Sequence, residues 1–295
     1  MKVSFISIVI PTFNDWHRLG LCLDALCAQT YPNAYFEVIV VNNDPADECP
    51  HWFKPYENVI ILNEVKPGSY AARNRALEVA KGEIIGFTDS DTIPDPKWIE
   101  NAVAYFWTNE SVYRIAGAIN LFYQTSRPTA VELYDALFAF RQKQYVEELG
   151  FGVTANMFTY KHLFDDIGPF NATLLSGGDY EWGRRANNSG YPIHFVDSVI
   201  VLHPARSKYN ELKRKIKRVS GGHLSMKADA TSRAKLMFNF LRGLKPKVED
   251  INYIFKSNKI TLAEKIMVFG IRHHLNILSN LEKVKISFGN KLERR

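Results

Sequence analysis

Residues 83–92 hold the first pattern in this chain able to do chemistry. An apolar run, Glu83-Ile84-Ile85-Gly86-Phe87, ends abruptly in Thr88-Asp89-Ser90-Asp91-Thr92. Two carboxylates one residue apart beyond a buried strand repel each other unless a cation sits between them. A second pattern, Ser176-Gly177-Gly178-Asp179-Tyr180-Glu181-Trp182-Gly183-Arg184-Arg185, sets another acidic pair after two glycines at an expected helix start. A metal-holding pair and a separate candidate base, roughly ninety residues apart, point to an enzyme acting on a phosphorylated substrate.

The elements that must position these groups follow from periodicity. Ser4 to Ile10 reads as a buried strand stopped by Pro11-Thr12-Phe13-Asn14, with a helix expected from about Arg18 to Gln29. Strands are expected over Phe36–Val41, Val59–Leu62 and Glu83–Phe87, and a helix from Gly68-Ser69 to about Lys81. Strands alternating with helices imply a parallel sheet flanked by helices, in which ligands collect beyond the carboxyl ends of the strands. Those ends are Pro11–Asn14, Asn42–Asp44 and Asp89–Asp91, three polar clusters on one expected edge.

From about Tyr113 the pattern changes. A strand is expected over Ile115–Phe122 and one long helix from Thr129 to about Glu148, followed by irregular chain up to Gly177-Gly178. Two short strands, Ile193–Val196 and Ser198–Leu202, then lead to His203-Pro204. The remainder reads as basic and helical: Lys213-Arg214-Lys215-Ile216-Lys217-Arg218 opens it, and Met267, Ile271, Leu275, Leu278 and Leu281 form one helical stripe.

The composition sets limits. A chain of 295 residues, 46% hydrophobic, is enough for one large α/β domain or for a domain plus an appendage. Its net charge of +6 hides an asymmetry. Residues 206–295 carry 22 Lys+Arg against 7 Asp+Glu, leaving 15 basic and 24 acidic residues in 1–205. A basic tail on an acidic body suggests a tail that meets something anionic, a solvated helical appendage being the plainer alternative. No signal peptide and no apolar stretch long enough to span a bilayer are visible. Three cysteines (Cys22, Cys27, Cys49) without metal-ligand spacing favour a reducing, cytoplasmic setting.

Several ordered blocks carry a resemblance: Ser7-Ile8-Val9-Ile10-Pro11-Thr12-Phe13-Asn14, Ala28-Gln29-Thr30-Tyr31-Pro32, Glu37-Val38-Ile39-Val40-Val41-Asn42-Asn43, Gly68-Ser69-Tyr70-Ala71-Ala72-Arg73-Asn74, Gly82 to Asp91, Gly178-Asp179-Tyr180-Glu181, and His203. Over roughly residues 4–206 the chain resembles a family 2 glycosyltransferase of the inverting, GT-A type, as found in bacterial surface-polysaccharide assembly. The resemblance implies an α/β, Rossmann-like fold with a mixed, mainly parallel sheet flanked by helices and followed here by a basic helical extension. It divides the chain into a nucleotide-sugar-binding half (1–115), an acceptor-binding half (116–206) and the extension (207–295). One departure stands out: the family often has two aspartates after the second strand, the second accepting a hydrogen bond from the nucleotide base. This chain has Asn42-Asn43, and an asparagine offers both an acceptor and a donor.

The expected roles follow. Asp91, with Asp89 and with His203 by family analogy, would hold Mg²⁺ or Mn²⁺ against the phosphates; Asp89 alternatively contacts the ribose, and His203 the diphosphate. Pro11, Thr12, Asn14, Asn43 and Arg73 are candidate nucleotide contacts, though Asn14 also fits turn chemistry and Arg73 also fits an ion pair. Asp179 matches the family's general base for the acceptor hydroxyl, with Glu181 as alternative, and one base opposite the leaving group implies inversion at the anomeric carbon. Trp182 is a candidate acceptor-stacking ring, and Arg184 and Arg185 candidate phosphate contacts; core packing and an ion pair are the alternatives. The acceptor is expected to be a glycan or lipid-linked glycan, and the tail to rest on the anionic inner membrane face. Nucleic-acid binding lacks a recognisable module, and self-association through the apolar stripe is a further option. A sugar-nucleotide nucleotidyltransferase would want a glycine-rich, Arg/Lys-containing loop after the first strand, which Pro11–Asn14 is not; a non-catalytic nucleotide-sugar binding module would tolerate loss of Asp179.

Overall fold

The computed structural model describes residues 4–53, 56–225 and 233–288; residues 226–232 and 289–295 of the basic extension lie outside this range. The first stretch runs β1 (Ile6–Thr12), α1 (Trp16–Cys27), β2 (Phe36–Asn42), β3 (Val59–Asn63), α2 (Ser69–Leu77) and β4 (Ile84–Thr88). It continues through β5 (Ile93–Pro94), α3 (Trp98–Thr108), β6 (Arg114–Phe122), α4 (Ala130–Phe138), α5 (Gln142–Leu149), β7 (Asn156–Tyr160) and α6 (Leu163–Ile167). The chain then forms α7 (Gly178–Asn188), β8 (Ile193–Pro204), α8 (Tyr209–Ser225), α9 (Arg233–Gly243), α10 (Val248–Lys256) and α11 (Leu262–Ser287).

The strands form one eight-stranded sheet in the order β3-β2-β1-β4-β7-β6-β8-β5. β3, β2, β1 and β4 run parallel, in register with Thr12 opposite Asn42 and Val9 opposite Phe87. Their carboxyl ends therefore share one edge, as the polar clusters after β1, β2 and β4 lead one to expect. β1, β2 and β4 are rich in Ile and Val and buried along nearly their whole length, which a strand covered on both faces requires. Beyond β4 the sheet turns antiparallel, through β4–β7, β7–β6 and β5–β8.

Three local expectations are corrected. β7 lies in the middle of the sheet, inside the stretch read as irregular. Its two polar residues, Asn156 and Thr159, are fully buried. Asn156 Nδ2 donates to the carbonyls of Ala118 and Val199 while its Oδ1 accepts from Trp98 Nε1, so the amide works as a strut between strands. The single helix from Thr129 to Glu148 is two helices, because Ala139 is extended and Phe140 adopts a left-handed backbone (φ 49°), which ends α4. The two strands after Ile193 are one: Asp197 and Ser198 are exposed, so their polarity does not interrupt the ladder.

The chain divides into two compact units. One comprises residues 1–120, 140–174 and 178–203; the other comprises 121–139, 175–177 and 204–295. The core of the first is built by the inner face of the sheet with α1 and α3, including Ile8, Val40, Leu23, Trp98 and Phe158. The second has its own core, in which Leu133 and Tyr134 of α4 meet Leu212 of α8, Ile254 of α10, and Val268 and Leu275 of α11. The expected stripe on α11 shifts accordingly: Ile271, Leu275 and Leu278 pack inward, Val268 replaces Met267, and Met267 is half exposed. Capping boxes at Thr129–Glu132 and Thr261–Glu264 start α4 and α11, each worth about 1 kcal/mol.

Candidate active site

Every group of the candidate site belongs to the first unit. β4 delivers Thr88 to the edge, and two threonines then brace the turn that follows. Thr92 Oγ1 donates to the Asp89 carbonyl at 2.8 Å and lies 2.6 Å from Thr88 Oγ1, and Thr88 Oγ1 donates to the Ala155 carbonyl. The Asp89 and Asp91 side chains stay partly open. β5 starts immediately afterwards, and its pairing of Ile93 with Leu202 carries His203 to the same turn although more than a hundred residues separate them. His203 Nε2 lies 3.5 Å from Asp91 Oδ1, with the ring seated against Phe140. One ligand atom each from Asp89, Asp91 and His203 lie within 4.8 Å of one another, a group that could hold a metal ion.

The chemistry of that donor set fits a hard or borderline divalent cation: two carboxylates and one imidazole. Arg73 Nη2 pairs with Asp89 Oδ1 at 2.7 Å, and Arg18 reaches both Asp15 (2.8 Å) and Asp91 (3.4 Å). The Asp89 carboxyl nevertheless sits above its ordinary value. Burial raises it most, Arg73 and His203 oppose this, and the charges of Asp91 and Asp179 add to it. An added cation would relieve that repulsion.

α2 supplies the other wall. It starts at Gly68, whose φ of 119° suits glycine alone, and Asn43 Oδ1 accepts from the Gly68 N–H. Tyr70, one turn before Arg73, donates its hydroxyl to Asp179 Oδ1, and the Thr154 N–H donates to Asp179 Oδ2 at 3.3 Å. Burial first, and the Asp179 carboxylate second, hold the Tyr70 phenol well above its usual value, so it remains a donor. A Cβ on Gly178 would stand 2.7 Å from the Tyr70 ring, which is why the residue before Asp179 is glycine. The Arg73 guanidinium lies over the same ring at 5.7 Å. α2 thus touches Asp89 with one residue and Asp179 with another.

The remaining expectations divide. Thr12 Oγ1 and Arg73 Nε are buried with no partner among the described residues, two polar atoms left open at this edge. Asn14 is exposed with a left-handed backbone (φ 52°), and Pro11 is partly buried beside it. Asn43 spends both amide hydrogens on the carbonyls of Glu64 and Lys66, so its donor is not available to a base. Trp182 is corrected outright: it has no exposed surface, stacks on Phe164 and donates to the Gly168 carbonyl, so it cannot stack on a sugar. Arg185 pairs with Glu181 at 2.6 Å and donates to the carbonyls of Ile167 and Pro169. That is the ion-pair alternative, and it occupies Glu181 as well. Sequence reasoning missed Tyr70, Thr154 and Asp15. Tyr70 lies in the stretch Gly68–Asn74, yet its partner is 109 residues away.

The model of "Glycosyl transferase family 2" matches residues 7–171. "Glycosyltransferase AglE" of Haloferax volcanii is 35% identical over 229 residues, covering 76% of this chain and 74% of that relative. Among solved structures, the Pyrobaculum calidifontis mannosyltransferase PcManGT in complex with GDP-Man and Mn2+ superposes with a TM-score of 0.58 at 16% identity, covering 100% of this chain and 78% of that one. S. aureus TarS 1-349 in complex with UDP gives 0.52 at 17% identity, covering 98% and 93%. These likenesses at low identity establish the GT-A fold. A family match over more than half the chain, with a relative this similar across three quarters of its length, makes the chain a member of glycosyl transferase family 2.

Proposed function

We propose that this glycosyltransferase moves a sugar, with inversion, from a nucleotide-diphosphate donor to a glycan or lipid-linked glycan acceptor in polysaccharide or glycolipid synthesis. The observation that carries the reading is the convergence of Asp89, Asp91 and His203 within 4.8 Å in the unit that also holds Asp179. The residues that would hold the cation are Asp91 and His203, with Asp89 either completing the set or turned to the ribose. A bound Mg²⁺ or Mn²⁺ would supply charge neutralisation for the departing diphosphate. That PcManGT was solved with GDP-Man and Mn2+, and TarS with UDP, supports this class of donor.

The chain's own groups do the rest. Arg73 fixes the Asp89 carboxylate, and Thr12 and Arg73 Nε offer unpaired polar atoms to the nucleotide. Asp179 removes the proton from the acceptor hydroxyl as that oxygen attacks the anomeric carbon from the face opposite the diphosphate. Tyr70 and the Thr154 N–H orient this carboxylate through one oxygen each. Donor contacts then fall within residues 1–115 and the base within 116–206, our division of labour along the chain. No helix among the described residues is long and apolar enough to cross a membrane, and we assign the enzyme to the cytoplasmic side, where nucleotide sugars are made.

Thermal stabilisation against UDP, GDP, dTDP and CMP, each with Mn²⁺ and with EDTA, tests the reading by mass action. One nucleotide should raise Tm, and EDTA should abolish the shift. No shift with any nucleotide, in folded protein, would overturn it.

A further inference from the structure

The residues from the last turns of α9 into the start of α10 hold a surface that the transfer chemistry does not use. Met237, Phe238, Leu241, Leu244 and Val248 are all exposed, Phe238 at 62% and Val248 at 69%. Isolated exposed apolar residues are ordinary, but five large ones within twelve residues form a patch. Arg242, Lys245 and Lys247 are interleaved with them and equally open. No acidic residue occurs anywhere between Arg233 and Val248. α9 ends at Gly243 and Pro246 precedes α10, so the patch lies on a helix end and a turn rather than on a long helical face.

The geometry points to this patch as a docking surface for an anionic phospholipid bilayer. The charge selects that occupant. Apolar side chains enter the acyl boundary, while Arg and Lys on flexible stems reach back to the headgroup phosphates. Within residues 237–248 Arg242, Lys245 and Lys247 face one exposed carboxylate just beyond, Glu249, so attraction to an anionic surface prevails there. The inference rests on the reading of a lipid-linked acceptor for its purpose, since it brings the enzyme to the plane where such an acceptor lies.

The test is co-sedimentation of the full chain with vesicles of phosphatidylcholine alone, or with one third phosphatidylglycerol, in the absence of donor and metal. The chain should sediment with the anionic vesicles. The exposed double variant Phe238→Ser/Leu241→Ser should lower partitioning about tenfold. Arg242→Glu/Lys245→Glu/Lys247→Glu should remove the preference for phosphatidylglycerol, about a hundredfold or more. Both variants should keep the wild-type circular dichroism and nucleotide-dependent Tm shift. Wild-type protein left in the supernatant, or vesicle binding untouched by either variant, would overturn the inference. So would a wild-type dimer that Phe238→Ser/Leu241→Ser makes monomeric without any vesicle binding. Because vesicle binding is read without donor, it can fail while the transferase reading stands, and the converse holds.

Discussion

Tyr70 donates its hydroxyl to Asp179, joining the second residue of α2 to the second residue of α7 across 109 positions of sequence. The bond gives Asp179 a fixed orientation, because its other oxygen is taken by the Thr154 N–H. Removing a hydrogen bond to a charged group costs about 1.5–3 kcal/mol, which is about 10- to 100-fold in rate when the group acts in the transition state. Tyr70→Phe should therefore lower kcat by that factor and leave the Kd for the donor nucleotide unchanged. A parallel loss of nucleotide affinity would reduce Tyr70 to a packing residue. Gly178→Ala should mimic the defect, because its Cβ would collide with the Tyr70 ring.

Asn43 stands where the family often has a base-contacting aspartate, and its contacts give the position another purpose here. Its amide nitrogen donates to Glu64 and Lys66 carbonyls at 2.9 and 2.8 Å, and its oxygen accepts from Gly68 N–H at 2.7 Å. An aspartate would keep the acceptor and turn both donations into oxygen–oxygen repulsion. Asn43→Asp should destabilise the fold by about 2–3 kcal/mol, read as a lower denaturant midpoint, without improving affinity for any nucleotide. A folded, stable Asn43→Asp protein with a changed nucleotide preference would restore the base-contact reading.

The parallel half of the sheet was legible because β1, β2 and β4 are runs of Ile and Val that end in polar clusters, and parallel pairing aligns those ends. The antiparallel half hid itself. Asn156-Met157-Phe158-Thr159-Tyr160 has no clean alternation, and its buried Asn156 amide is satisfied by Trp98 and by carbonyls of two other strands. The break at Phe140 carries neither Gly nor Pro, and its ring lies against His203, a contact 63 positions distant. Asp89, Asp91 and Asp179 could be named from local motifs, and His203 only through the family resemblance. The residues that orient them could not, since Tyr70, Arg18 and Thr154 acquire their partners through tertiary approach.

Cys22 links the core to the turn that carries Asp89 and Asp91. Its thiol is fully buried, contacts the Asp89 carbonyl at 3.8 Å, and is pushed up to about 12 by burial. Cys27 and Cys49 are exposed. Thiolate is the reactive form, so two thiols should react with a maleimide in the native state and Cys22 only when the structure opens. Bound nucleotide with Mn²⁺ should slow Cys22 further, since ligand binding to the closed form suppresses opening. Rapid modification of all three in folded protein would contradict this packing.

In the second unit, Asp135 is almost fully buried. It accepts from the Arg206 backbone N–H at 3.0 Å and guanidinium at 3.1 Å, and faces Lys215 Nζ at 3.7 Å. Burial above all, then Arg206, pulls Lys215 down to about 7, Arg218 adding to the effect and Asp135 opposing it. The sign follows from proton counting. Between about 7 and the ordinary lysine value of 10.5, the unfolded chain holds a proton at this site that the folded chain has released. Stability therefore rises with pH across that window. With Lys215 partly exposed, the gain should be about 1–3 kcal/mol rather than the full shift. Denaturant midpoints at pH 6.5, 8 and 9.5 should climb in the wild type and lose that slope in Lys215→Met. Asp135→Asn should cost about 3–5 kcal/mol at pH 6.5, where it strands both cations, and less at pH 9.5, where only Arg206 stays charged. An equal cost at both pH values would mean that Lys215 keeps its proton throughout, and that the pair with Asp135 outweighs burial.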